Sequence, residues 1–171
     1  MKVQIPEVVY HGSLDNILIQ DFRPLTHFGT LKSALQRAGE LSARKSIQAT
    51  SFLDIVIYPV SINLKNPVRI KDGKNLLHSA IKIADMLYYT QKKITTHERD
   101  SIISASETLR NATLIAILKN KGYDGMVYRN CHEDIGKDSY IIFDSSQIVK
   151  HENSVKMSYQ EVLNSKILMY N

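Results

Sequence analysis

The spacing of apolar positions changes several times along this 171-residue chain. Val8–Tyr10 is a short apolar run that stops at Gly12 and reads as a strand entering a turn. Leu14–Phe22 is short and mixed, enough for one helical turn. From Leu31 the period lengthens. Leu31, Ala34, Leu35, Ala38 and Leu41 fall on one stripe at helical spacing, and Thr30 stands where an N-cap belongs. Ile55–Leu64 alternates and is rich in β-branched residues, predicting a strand in which Pro59 argues for an edge or a bulge. Asn66-Pro67 marks a turn, and Val68–Ile70 restarts an extended segment. Leu76–Thr90 and Glu98–Asn120 read as helices, with Thr95 and Glu98 spaced as a capping box and Gly122 as the closing glycine. Gly125–Arg129 and Tyr140–Asp144 read as strands, and Gln147–Lys150 as a short extension. Ser158 and Glu161 form a second capping box before a C-terminal helix of about 158–168. Strands thus flank a helical middle, which predicts an α+β fold.

Composition narrows the class. The length suits one domain with a real core. Hydrophobic residues make up 43% of the chain and charged residues 23%, an ordinary globular balance. No apolar run is long enough to span a bilayer, and no signal peptide is visible at the N-terminus. The expected location is therefore the cytoplasm, or a host cytosol reached by another route. The single cysteine, Cys131, excludes an internal disulfide and a Cys-rich metal site, and the six histidines show no ligand spacing, so no metal is expected. The net charge of +5 is spread along the chain rather than gathered in blocks. It fits a mildly basic surface, or attraction to a polyanion, without the footprint of a nucleic-acid binder.

Three separated segments carry candidate chemistry: Tyr10-His11-Gly12-Ser13, Thr26-His27-Phe28-Gly29-Thr30, and Asp138-Ser139-Tyr140-Ile141-Ile142-Phe143. A Gly122-Tyr123-Asp124-Gly125 turn precedes the last. In this order the set resembles the ADP-ribosyltransferase superfamily, in its His-Tyr-Glu branch of the poly-ADP-ribose-polymerase and diphtheria-toxin type. It resembles most the small transferase domains of phage and bacterial polyvalent proteins. The likeness covers roughly residues 8–42, 55–71 and 115–150. It implies a single domain over 1–171 with a split mixed or antiparallel sheet and a helical insertion at about 72–114. It also implies NAD as substrate, cleavage of the nicotinamide–ribose bond, and a macromolecular acceptor, a protein first and a nucleic acid second. No membrane partner is implied.

The same resemblance distributes roles. A glycine backbone offers a donor and an acceptor at close range, so Gly12 would hold the nicotinamide carboxamide, with Ser13 adding a hydroxyl and His11 bonding the adenosine ribose. His27 falls on the position of a stacking tyrosine, and Phe28 on the phenylalanine beside it. The branch's catalytic glutamate position holds Ser139, which cannot supply negative charge. Tyr128-Arg129-Asn130-Cys131-His132-Glu133 resembles a Tyr-x-Asn-x-x-Glu pattern of the small phage-type domains. Glu133 is therefore the expected working carboxylate, with Asp138 as the second choice. Loss of the polymerase glutamate points to single transfer rather than polymer growth. The rival expectation is a degenerate module that binds NAD, ADP-ribose or a protein without turnover. Arg69 and Lys71 follow a strand, where phosphate contact and plain surface charge are both open.

Overall fold

Strand β1 (Val9–Ser13) pairs antiparallel with β3 (Ile55–Ile62), which pairs on its other side with β7 (Ile148–His151) and β8 (Val155–Met157). A second sheet runs in the order β2-β6-β5-β4, from β2 (His27–Phe28), β6 (Asp138–Ile142), β5 (Gly125–Arg129) and β4 (Val68–Ile70). Among the described residues only the β4–β5 pair is parallel. These relations come from a computed structural model that describes residues 4–14, 22–46, 53–72, 79–151 and 153–164. The expected helical turn at Leu14–Phe22 and the residues beyond 164 of the expected C-terminal helix lie largely outside the described residues.

The architecture is α+β, and the burial pattern of each strand explains its layering. In β3 Ile55 and Ile57 face helix α1 (Leu31–Ser46) together with Ala34, Leu35 and Ala38. The alternate residues Val56, Tyr58, Val60 and Ile62 face the second sheet, against Val127, Tyr140 and Ile142. The far side of the second sheet is covered by α2 (Ala80–Asp85), α3 (Thr96–Ser104) and α4 (Glu107–Asn120), whose Ile83, Ile102, Leu114 and Leu118 pack, with Leu87 just after α2, on Met126 and Ile141. A strand apolar on both faces is buried on both faces, as period-two alternation requires.

Helix α1 begins where the sequence places it, with Thr30 Oγ1 accepting the Ser33 N–H at 3.1 Å. Thr95 and Glu98 form the expected capping box on α3, and Ser158 and Glu161 cap α5 (Tyr159–Asn164). Gly122 ends α4 at a φ of 83°. The stretch expected as one helix, Glu98–Asn120, breaks at Ala105, whose backbone is extended. The flanking Ser104 and Ser106 compete locally for backbone bonds, which favours a break. After α2 the chain widens into a π-helical turn over Met86–Thr90, where the Gln91 N–H reaches the Met86 carbonyl.

Pro59 lies inside β3, a central strand, and not at an edge. Tyr10 opposite it exchanges both backbone bonds with Gly29, so this pair is not hydrogen-bonded within the sheet. The Pro59 nitrogen therefore faces the other side. There β8 covers Ile55–Ile57, β7 covers Val60–Ile62, and the turn between them leaves no ladder bond for the ring to interrupt.

The Gly122–Gly125 turn is architectural. The Asp124 carboxylate accepts the backbone N–H groups of Lys65 and Asn66. Gln147 donates to the Asp124 carbonyl at 2.6 Å and accepts from the Phe143 N–H at 2.7 Å, so it braces the end of β6.

Candidate active site

A cleft of about 760 Å³ opens where β1 parts from β2. His11 and Gly12 line it from β1, His27 and Phe28 from β2, and Tyr128 and Ser139 from β5 and β6. Glu133 lines it from the loop between β5 and β6. The first two segments and the loop acid singled out in the sequence therefore meet in one place. Ser13 and Asp138 do not line this cleft.

His11 sits in an aromatic box, edge-on to Phe22 at 5.2 Å and tilted against Phe28 at 5.6 Å and Tyr58 at 6.4 Å. Its Nδ1 lies 2.8 Å from the His27 carbonyl oxygen. A carbonyl only accepts, so Nδ1 carries the proton. Burial lowers the His11 pKa from 6.5, against the opposing pull of that carbonyl. The ring is neutral at pH 7, and its Nε2 is left as an acceptor.

Gly12 follows from strand geometry. Tyr10 gives its N–H and C=O to Gly29. In an antiparallel pair, residues two apart turn these groups to the same side. Gly12 therefore turns its N–H and C=O away from β3, at a point where β2 has no residue to meet them. Neither has a backbone partner among the described residues. The glycine itself answers a different demand from the one the sequence suggests. A Cβ at Gly12 would strike the Ala34 carbonyl of α1 and lie 2.9 Å from the Ala38 Cβ. Close packing of α1 on β1, not clearance for a ligand, excludes a side chain.

His27 places Nδ1 3.0 Å from the Tyr128 hydroxyl, its ring edge-on to that tyrosine at 5.7 Å. Burial raises the Tyr128 pKa, with the negative charges of Glu133 and Asp72 adding to the effect against a hydrogen bond from Ser139. The phenol keeps its proton. Ser139 is 3% exposed and accepts from Asn130 Nδ2 at 2.6 Å. Asn130 is equally buried, and its Oδ1 has no hydrogen-bond partner among the described residues. Ser139 is thus a hydrogen-bond node in the cleft floor, where a catalytic glutamate was to be replaced.

Asp138 is one residue from Ser139, so it projects from the opposite face of β6. There it forms a two-pronged ion pair with Arg69, at 2.9 and 2.7 Å. The pairing consumes Arg69, which does not line the cleft. Asp138 is therefore withdrawn from the second-choice role given to it above, for a reason the alternation of β6 already contained.

Glu133 belongs to a loop fastened at several points. Asn130 and Lys137 close its base through N–H to carbonyl bonds, and Cys131 N–H bonds Asp72 at 2.7 Å. Thr30 Oγ1 donates to Asp134 at 2.6 Å, and Asp134 N–H donates to Gln36 at 2.7 Å. Asp134 at φ 34° and Gly136 at φ 84° supply the left-handed turns. The Glu133 carboxylate has no hydrogen-bond or ion-pair partner among the described residues.

Sequence reasoning missed the α1 side of the cleft. Arg37, Leu41 and Arg44 line it, with Glu40 3.6 Å from Arg44 and 3.8 Å from Arg37. The spacing of Arg37 and Arg44 along one helical face was a usable signal, at the border of the apolar stripe to which Leu41 belongs. It also missed Asp72, Cys131 and His132, whose possible ligand atoms lie within 4.8 Å of one another. Ligand atoms around a tetrahedral zinc lie roughly 3.5 Å apart, so this is a loose grouping. The Cys131 pKa is raised, first by the hydrogen bond of its thiol to Asp72, which leaves the thiol a poor nucleophile.

A family model described as ADP-ribosyltransferase in polyvalent proteins matches residues 5–156. No curated protein sequence matches the chain. Among solved structures the fold is similar to a chain of the M. tuberculosis MbcT–MbcA toxin–antitoxin complex, with a TM-score of 0.50 and 7% identity. That similarity covers 99% of this chain and 92% of the other.

Proposed function

The chain belongs to the ADP-ribosyltransferase family of polyvalent proteins, and from that premise we propose that it is a mono-ADP-ribosyltransferase. It would take NAD as substrate, break the nicotinamide–ribose bond and pass ADP-ribose to a macromolecular acceptor. The observation that carries this reading is Gly12. Its N–H and C=O both turn into the cleft, a donor and an acceptor side by side, which is what a carboxamide needs.

The surrounding residues extend the match. His11 Nε2 can accept from a ribose hydroxyl. Phe28 and His27 bring rings to the same wall, and Arg37 and Arg44 bring positive charge for a pyrophosphate. As nicotinamide leaves, positive charge develops on the ribose, and a carboxylate opposite it lowers the barrier. Glu133 supplies that charge. Ser139 and Tyr128 keep the floor neutral, and the absence of a glutamate at Ser139 favours one transfer over polymer growth. With no acceptor bound, water takes the ribose and the protein acts as an NAD glycohydrolase.

The test is release of nicotinamide from labelled NAD, with and without a cell lysate. Glu133→Gln is expected to lower release about 10²-fold or more while NAD affinity by calorimetry stays near the wild-type value. Asp138→Asn is expected to release nicotinamide at close to the wild-type rate. Equal rates in wild type and Glu133→Gln would remove the carboxylate assignment. The Glu133 carboxylate has no fixed partner, which also suits a module that binds NAD without turnover. Tight NAD binding with no release by the wild-type protein would establish that second reading.

A further inference from the structure

A second cavity, of about 1010 Å³, lies on the other side of the loop that carries Glu133. Asp72 and Cys131 line both cavities, so the two abut across a thin wall. We infer that this second cavity holds the acceptor, and that the acceptor is a peptide segment rich in acidic side chains. The inference rests on the transferase reading above.

The argument begins with size. The first cleft has the volume of a small-molecule site. With NAD inside it, a macromolecular acceptor has to lie outside and reach in, and the adjoining cavity is where this surface offers room. In the transfer, the acceptor's nucleophilic atom bonds the ribose carbon. The electron pair of the broken carbon–nitrogen bond leaves with nicotinamide; a carboxylate nucleophile has no proton to lose, and a hydroxyl or amine nucleophile gives its proton to solvent.

Charge then selects the kind of acceptor. Arg69 and Asp138 cancel each other in their ion pair. Lys71, Arg129 and Lys137 remain, all exposed and none with a carboxylate partner among the described residues. Arg129 is steadied by a bond from its Nε to the Gly136 carbonyl at 3.0 Å. Against them stands Asp72 alone, already accepting from the Cys131 N–H. The cavity is therefore a positive berth for an anionic segment. Tyr140, the aromatic residue in its lining, is 2% exposed, and its hydroxyl is spent on the Gln4 carbonyl at 3.2 Å. Single-stranded nucleic acid is gripped by stacking bases on open rings, and the described residues of the cavity offer none. Acidic side chains need only the cations.

The experiment measures binding of a short fluorescent oligoglutamate peptide to the full chain, with oligoglutamine and oligothymidylate as comparisons. Saturable, salt-sensitive binding of oligoglutamate is expected, weakened roughly tenfold by Lys71→Glu with Lys137→Glu. The same double variant is expected to hydrolyse NAD at the wild-type rate without an acceptor, and to label acidic proteins of a lysate less. Should the reversed charges disturb folding, Lys71→Gln with Lys137→Gln gives the milder form, with a smaller loss of the same sign. Equal binding of oligoglutamate by wild type and a folded double variant would overturn the inference. So would tighter binding of oligothymidylate that the variant abolishes, which would assign the cavity to nucleic acid. Oligoglutamate binding that depends on Lys71 and Lys137, in a protein that releases no nicotinamide, would leave the surface standing and remove its role as an acceptor site.

Discussion

His11 and Glu133 face the same cleft from walls built in different ways. The β1 wall is held by packing. His11 is boxed by Phe22, Phe28 and Tyr58, and Gly12 lies hard against the backbone of α1. The loop wall is held by hydrogen bonds, from Thr30 to Asp134, from the Asp134 and Cys131 N–H groups to Gln36 and Asp72, and from Asn130 to Ser139. Packing fixes a shape that does not depend on the state of any one group. A hydrogen-bonded loop fixes a position yet lets its free side chain meet charge as charge appears. On the proposed reading, recognition falls on the stiff wall and the Glu133 carboxylate on the adjustable one.

The largest break in this comparison comes from Gly12→Val. A branched side chain whose Cβ is forced against the Ala34 carbonyl is expected to cost about 3 kcal/mol of stability, read by urea unfolding. A fully stable Gly12→Val protein would show that α1 can retreat and that the wall is not stiff. On the other wall, Thr30→Ala removes both the cap of α1 and the bond to Asp134. The cap is worth about 1 kcal/mol, and loosening the loop is expected to lower kcat for nicotinamide release several-fold with KM unchanged. Thr30→Ser is expected to restore both. An unchanged kcat in Thr30→Ala would mean that the loop needs no latch.

The smallest effect sharpens the first wall. His11 is held below its ordinary pKa of 6.5. Below about pH 6.5 the unfolded chain binds a proton that the folded chain refuses, so stability falls as the pH drops through that value. The slope for one such group is at most about 1.4 kcal/mol per pH unit. His11→Gln is expected to remove that component from unfolding curves taken between pH 7.5 and 5.5. An acid sensitivity equal in the two proteins would place its origin elsewhere.

Local rules made much of this legible. The helix start at Thr30, the boxes at Thr95 and Ser158, and the whole of β5 follow from side chains acting on their own neighbours. The pairing of His11 with Glu133 in one cleft came from a family resemblance, because no local rule reports a contact across so many residues. Asp138 shows a signal that was present and unused: a residue adjacent to Ser139 on a strand has to face the other way. Gly12 shows the reverse. Its closest neighbour is a helix carbonyl at Ala34, and nothing in a His-Gly-Ser tripeptide announces a helix packed behind it. Strand β8 was missed because the alternation of Val155, Lys156 and Met157 spans only three residues, too few to read as a strand.

Strand β3 hands one edge from β8 to β7 at Pro59, and this has a practical side. Asn153 and Ser154 sit in the turn at the hand-over, exposed and outside both ladders. Neither lines a cavity described above. A fluorophore, an affinity tag or a spliced-in domain placed between them would extend from the molecule without cutting a strand pair. That junction gives experimenters a handle on the molecule that leaves both cavities open.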